Sequence, residues 1–382
     1  MAVARHGTGY GSALGALASQ IHPVFMLPPV AVSLFGAFLA GEFSLHAAAL
    51  HAIAIGAAVY VAHVKDGLVD FHRRGEDDDH PLTRRGCFLA LAAGSLVFLT
   101  TLVLLGTIAG WLPALLTAPT WAIGFLHAPQ LDTNPITATI GYPAGIVLAL
   151  VGAYAVQTGG VTAIPLAYGL VLFVLLTGVK IVDDLQDRRW DRSFGKRSLP
   201  VVIGPARARY LGNALLAAGA VMMLGFIAIG WFPDGVAVGV FVFGAVAAVA
   251  AERGPERATM LLVRGAYLLL ACMVLAVWYR PLAGVPPRLS FLGPYVYLAV
   301  ETAFGLVGLS LLYATGTLRR AARTIAILYP IAFVWDWYSL QIGIFEITRR
   351  TGIEVAGIPL EEHLFIVVVP AFILGLHGLL ES

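Results

Sequence analysis

The sequence predicts an all-α membrane protein: a nine-helix transmembrane bundle over residues 1–280, then a three-helix transmembrane unit over residues 290–382. Three observations predict it. The 382-residue chain is 59% hydrophobic and 12% charged, whereas a soluble domain carries about 25% charged residues. Its mean hydropathy of +0.85 is spread along the whole length, in apolar runs of about 20 residues, the length that spans a bilayer core. Lys and Arg, finally, gather in alternate loops, as cytoplasmic loops require.

Twelve helices follow from the apolar runs, near 22–40, 44–64, 87–106, 110–126, 138–157, 163–182, 207–229, 236–251, 259–279, 290–315, 324–345 and 359–380. The fourth is short and carries Pro113 and Pro119, which neighbouring helices in a membrane can accommodate. The first run lacks the basic flank and small-residue cleavage site of a leader and is expected to be a retained helix. With both termini cytoplasmic, 20 of the 24 Lys and Arg fall on the cytoplasmic side, in the stretches around Arg5, Lys65–Arg85, Lys180–Arg209, Arg253–Arg264 and Arg319–Arg323. Arg280, Arg288, Arg349 and Arg350 fall outside. The expected location is the cell membrane, with lipid as the surrounding partner. The Pro- and Arg-rich stretch 281–289 reads as a stiff linker between the two units.

Net charge is +2, which points away from nucleic acid as a partner. The two cysteines, Cys87 and Cys272, are far apart with no Cys or His at metal-ligand spacing, and read as small apolar packing residues.

A weak repeat marks the chemistry. In each of two four-helix stretches the second helix ends in aspartates four apart, followed by a basic loop and a proline: Asp66 and Asp70 before Pro81, then Asp183, Asp187 and Asp191 before Pro200. Residues four apart share a helix face, and four intervening helices return both ends to one side of the membrane. Carboxylates there are costly unless water, a cation or a partner offsets them. Mg²⁺, held by one or two carboxylates plus substrate phosphates, is the expected cofactor. Such a site suits ionisation of a prenyl diphosphate, where cations stabilise the charge on departing pyrophosphate. Lys180, Arg188, Arg189, Lys196 and Arg197 are the candidate phosphate contacts, with Lys196 and Arg197 placed to close a loop. The run Glu76–Asp79 reads as a solvated loop. The apolar helices would receive the prenyl tail.

Residues 183–204, DDLQDRRWDRSFGKRSLPVVIG, resemble the second aspartate motif of the UbiA superfamily of intramembrane prenyltransferases, DxxxDxxxD followed by G-K-x-[ST]-L-P-V. GAYAVQTGG at 152–160 is loosely similar to the menaquinone-type branch. The resemblance covers residues 15–280 and implies a nine-helix UbiA-like bundle with Mg²⁺-dependent prenyl transfer to a lipophilic acceptor. The first motif departs from the family's Asn, Asp, Asp at four-residue intervals: Asp66, Asp70 and Arg74 hold those places. Asp77, Asp78 and Asp79 are the candidates for the lost carboxylate, and spacing does not choose among them.

The last three helices carry Glu301, Asp336, Glu361 and Glu362. Intramembrane acids are functional candidates, although Glu361 and Glu362, just after Pro359, also suit a helix N-terminus. FVWDWY at 333–338 and GIPLEEHLFIVVVP at 357–370 resemble the small lycopene cyclase domain of bacterial and fungal carotenoid enzymes. That resemblance covers 290–382 and implies protonation-initiated cyclisation, with Glu361 or Glu362 as the acid and Asp336 and Glu301 in support. The family pairs two such units. One chain supplies one, so a homodimer, a second cyclase subunit or reuse of the unit would follow. The helix count sets Glu361 and Glu362 at the outer face, across the membrane from the aspartates. The joint expectation is prenyl transfer to an acceptor such as a carotenoid, lycopene elongation, with coupled end-group cyclisation. The alternative is an intramembrane terpene cyclase acting on geranylgeranyl or farnesyl diphosphate.

Overall fold

The computed structural model describes residues 3–41, 43–279, 295–344, 347 and 350–381. The expected linker 281–289 and the expected outer-face residues Arg280, Arg288 and Arg349 lie outside the described residues. The chain divides into two compact units, Met1–Val285 and Pro286–Ser382.

The first unit is helical throughout: α1 Tyr10–Ala18, α2 Pro23–Leu39, α3 Leu45–Val69, α4 Arg84–Ala109, α5 Trp111–Leu126, α6 Pro135–Thr158, α7 Ala163–Ser193, α8 Leu199–Ile203, α9 Pro205–Ala228, α10 Val236–Ala251 and α11 Pro255–Tyr279. Two π-helical turns interrupt the series, Asp70–Arg74 after α3 and His127–Leu131 after α5. Local chemistry sets the starts. Ser44 and Thr83 accept from backbone amides at the heads of α3 and α4, and proline opens α2, α6 and α9, where its missing N–H costs nothing.

Close helix contacts rest on small residues, as expected where lipid removes the hydrophobic drive between helices. A Cβ on Gly36 of α2 would sit 2.2 Å from the Leu150 carbonyl oxygen of α6, so only glycine fits. Gly178 of α7 likewise faces the backbone of Gly212 on α9. The main core joins α2, α6, α7, α9, α10 and α11, with Tyr168 stacked on Phe232 at 3.8 Å between ring centres and edge-on to Phe35. A second core joins Val61, Val64 and Leu68 of α3 to Cys87, Ala90 and Leu91 of α4, with Leu82 from the loop between them.

Large apolar side chains are exposed around the bundle, among them Leu96, Val221 and Phe241. In water such a belt would be a liability, and in lipid it is the outer surface. Among the described residues, seven helices are long and apolar enough to cross a membrane, and two shorter apolar helices accompany them. The chain is an integral membrane protein.

In this unit, two short helices and two helix ends depart from the sequence reading. The short helices α1 and α8 have no counterpart in it, being too brief to show a period. Helix α3 runs to Val69 rather than 64. Helix α7 runs to Ser193 rather than 182, so Asp183, Asp187 and Asp191 ride on its last three turns. Nothing between Gly178 and Gly195 breaks it, and Lys180 pairs along it with Asp183 and Asp184. Gly195, at φ 73°, is the left-handed residue that follows the helix.

The second unit contains α12 Val296–Ala314, α13 Leu318–Gln341, a two-residue hairpin of β1 Glu354–Val355 with β2 Ile358–Pro359, and α14 Leu360–Glu381. Helix α14 packs chiefly on α12, where Gly308 faces the backbone of Phe372. Helix α13 starts six residues before the expected 324, because Arg319, Arg320 and Arg323 ride on its first turns.

Candidate functional site

Asp66 lies in the last turn of α3, and Asp70 and Arg74 lie on the π turn that follows. A π turn widens the helix by one residue per turn and recurs at functional sites. Arg74 makes two hydrogen bonds to Asp132, at 2.6 and 3.1 Å, and a third to Asp70 at 3.1 Å. Asp132 directly follows the turn His127–Leu131, and that turn also sets His127 Nε2 3.8 Å from Asp66 Oδ2.

The loop after α7 reaches this same place. Lys196 Nζ lies 2.7 Å from Glu76 Oε1 and 3.5 Å from Asp70 Oδ2. Trp190 Nε1 donates to Glu76 Oε1 at 3.0 Å, and the Arg197 amide donates to the Asp132 carbonyl at 3.3 Å. Burial alone would lower the Lys196 ammonium. The Glu76 hydrogen bond and the charges of Asp70 and Glu76 outweigh it and hold that group above its ordinary value. Lys196 therefore keeps its charge.

On α7, Lys180 Nζ lies 3.3 Å from Asp183 and 2.5 Å from Asp184. Gln186 donates to Asp183 at 3.0 Å. Asp191 is buried and accepts from Ser198 Oγ at 2.6 Å, while its carbonyl accepts from the Lys196 amide. Arg188 donates to the Pro200 carbonyl. Asp187, Arg189 and Arg197 are exposed. Helix α6 packs on both α3 and α7.

Of the expected residues, Asp70 and Lys196 meet directly. Lys180 and Arg188, read as phosphate contacts, are instead committed to Asp183/Asp184 and to the Pro200 carbonyl. Asp191, read as a metal ligand, holds the loop. Of the three candidates for the lost carboxylate, Asp79 turns to Arg5 and His6 at the surface. The His6 hydrogen bond, with Arg5 beside it, holds Asp79 below the usual carboxylate range. Glu76 was read with its neighbours as a solvated loop, yet its side chain is 7% exposed. The run is solvated at 77–79 and folded inward at Glu76. Asp132, His127 and Asp184 were also missed. Asp184 could have been read from the paired aspartates at 183–184. Nothing in spacing points to the other two.

These carboxylates fit a hard divalent cation. Asp66, Asp70, Glu76 and Asp132 outnumber Arg74 and Lys196 beside the end of α3, and Asp183, Asp184 and Asp187 outnumber Lys180 on α7. Glu76 Oε2 and Asp184 Oδ2 are buried with no hydrogen-bond partner, an arrangement that calls for a further positive group.

In the second unit the Tyr297 hydroxyl lies 3.5 Å from Glu362 Oε1, and the Asp336 and Glu362 carboxyls are within hydrogen-bonding reach. Glu301, four residues after Tyr297 on α12, is buried with Oε2 unpartnered. Glu361 is fully buried but turns elsewhere, accepting from the Thr351 amide at 2.5 Å. Three of the four expected acids thus converge, and Glu361 ties down the chain before the hairpin.

The family model of the UbiA prenyltransferase family matches residues 26–262. No curated protein sequence matches the chain. Among solved structures, a UbiA homolog from Archaeoglobus fulgidus bound to GPP and Mg²⁺ is similar at 18% identity, covering 70% of this chain and 99% of that one, with a TM-score of 0.53. A UbiA homolog from Aeropyrum pernix K1, in its apo form, gives 18% identity, 66% and 97% coverage and 0.53. A digeranylgeranylglyceryl phosphate synthase structure gives 12%, 69% and 98%, and 0.56. At these identities the likeness is one of fold.

Proposed function

We propose that this chain, which belongs to the UbiA prenyltransferase family, transfers the prenyl group of an isoprenoid diphosphate to a lipophilic acceptor within the membrane. The observation that carries the reading is the reach of Lys196, from the loop after α7, onto Asp70 and Glu76 beside the end of α3. It supports reading the two acidic segments as one site. Asp66, Asp70, Asp183 and Asp187 would hold Mg²⁺, as the Archaeoglobus fulgidus homolog with GPP and Mg²⁺ suggests by analogy. Bound there, the ion offsets charge on the diphosphate.

The remaining work falls to this chain's residues. Arg74 fixes Asp70 and Asp132, and Lys180 fixes Asp183 and Asp184. Lys196, Arg197 and Arg189 supply donors to phosphate oxygens. The allylic carbon–oxygen bond breaks, and its electron pair leaves with pyrophosphate. A double bond of the acceptor then attacks the allylic cation, and loss of a proton restores neutrality. The apolar walls exclude water, which would otherwise capture the cation.

The acceptor we favour is a carotenoid such as lycopene, because the second unit resembles a lycopene cyclase domain. There Glu362, supported by Asp336, Tyr297 and Glu301, is the candidate acid. It protonates a terminal double bond, the neighbouring double bond closes the ring, and proton loss ends the step. Both termini and the aspartates are assigned to the cytoplasmic side.

The test is incubation of membranes with Mg²⁺ and labelled geranylgeranyl or dimethylallyl diphosphate, with and without lycopene. Label entering the organic phase only with acceptor is expected. A cyclised product formed without acceptor would replace this reading with an intramembrane terpene cyclase.

A further inference from the structure

Beside the π turn, three stretches of chain bring soft ligands together. His72 comes from the turn itself, His80 from the loop that follows, and Cys87 from the first turn of α4. One donor atom from each lies within 4.8 Å of the others. The His80 and Cys87 side chains are buried. Cys87 Sγ is 3.9 Å from His80 Nδ1. In a tetrahedral zinc centre, with bonds of about 2.3 Å to sulfur and 2.0 Å to nitrogen, that separation is roughly 3.6 Å. That pair would close by a few tenths of an ångström, and the widest of the three separations, at most 4.8 Å, by about 1 Å.

The surroundings hold these groups in place. The Leu82 carbonyl accepts from His72 Nε2 at 3.0 Å and lies 3.2 Å from His80 Nδ1. The Leu82 amide donates to His80 Nδ1 at 3.2 Å, a contact that coordination at that atom would exchange for a metal bond. A Cβ on Gly67 would fall 2.1 Å from His80 Nε2, so α3 leaves the imidazole its seat only because that residue is glycine. Phe71 flanks both rings, and the Arg5 guanidinium covers Phe71 at 4.2 Å. Residues 3–5 close over the loop through the Thr83 amide to the Val3 carbonyl and the Arg5 amide to the Pro81 carbonyl.

We propose that His72, His80 and Cys87 bind a thiophilic divalent transition-metal ion of the zinc class. The two-imidazole, one-thiol donor set suits zinc and not Mg²⁺, which takes oxygen. The ion would be a clamp between the turn bearing Asp70 and the start of α4, independent of the prenyl transfer proposed above. Sequence spacing hid it, because residues 72, 80 and 87 follow no local ligand pattern.

The test uses the full chain purified in detergent and stripped with a chelator. Titration with Co²⁺ is expected to give a thiolate-to-cobalt charge-transfer band, saturating near about one ion per chain. Cys87→Ala, which keeps the site small and apolar, should abolish the band, and His72→Gln should weaken binding at least tenfold. Asp70→Asn should leave the band intact. The chain holds two cysteines, so a band that survives Cys87→Ala assigns the thiolate to Cys272 and overturns the proposal. A folded wild-type chain that gives no thiolate band also overturns it, leaving a hydrogen-bonded staple around Leu82.

Discussion

Asp70 stands between two cations, Arg74 at 3.1 Å and Lys196 at 3.5 Å. Any substrate that arrives with its own cations must compete with both. Lys196, on a loop, is the partner able to move to phosphate, whereas Arg74 is fixed by its two bonds to Asp132. Lys196→Met should therefore lower kcat/KM for the diphosphate by roughly 10²–10³-fold, with Lys196→Arg retaining more activity. Steady-state pyrophosphate release reads this, and equal activity in the two variants would remove Lys196 from the site. Arg74 has a different part. Arg74→Met leaves Asp132 without its partner, and losing a charge-assisted hydrogen-bonded pair that is part-buried costs about 1–3 kcal/mol. The thermal midpoint in detergent should fall accordingly and recover in the double variant with Asp132→Leu. Asp183 and Asp187 were legible in sequence because four-residue spacing on one helix fixes their side. Glu76 and Asp132 were not, because their partners lie far away in sequence at Lys196 and Arg74.

The loop from Phe194 to Ser198 gives the candidate site its shape. Gly195 lets the chain turn after α7, Ser198 returns to Asp191, and Lys196 is thereby aimed across at Glu76. Ser198→Ala should raise KM for the diphosphate more than it lowers kcat, since it loosens the loop without removing a phosphate contact. An unchanged KM would mean that the loop is held by other bonds. Helix α7 in turn depends on its close approach to α9 at Gly178, where an added Cβ would meet the Gly212 carbonyl oxygen at 2.9 Å. Gly178→Leu should cost about 1–3 kcal/mol, read again as a lower thermal midpoint. Apolar run length revealed most of the helices. It could not show that α7 continues past its last apolar residue, because charged residues are good helix formers once paired along the helix. The π turns and the short α1 and α8 carry no period, so hydropathy is silent on them.

Across the whole molecule, the charge deficit and the apolar runs made the membrane class legible, and the second aspartate motif made the family legible. The two units raise separate expectations. Glu362→Gln should change the ring pattern of carotenoid products while leaving pyrophosphate release intact, because its carboxyl faces Asp336 and Tyr297. Glu361→Gln should keep the ring pattern, since its oxygen receives the Thr351 amide and a glutamine can do the same. Product analysis by chromatography separates these outcomes, and a changed pattern in the Glu361 variant alone would reverse the two assignments.

The function proposed here depends most on the acidic segments of α3 and α7 acting as one Mg²⁺–diphosphate site. The most direct measurement is Mg²⁺-dependent pyrophosphate release from an allylic diphosphate by membranes carrying wild type, Asp70→Asn or Asp187→Asn, each checked for folding. The expected result is pyrophosphate release by wild type only with Mg²⁺, and its loss in either variant. Near-normal turnover in either variant would contradict it.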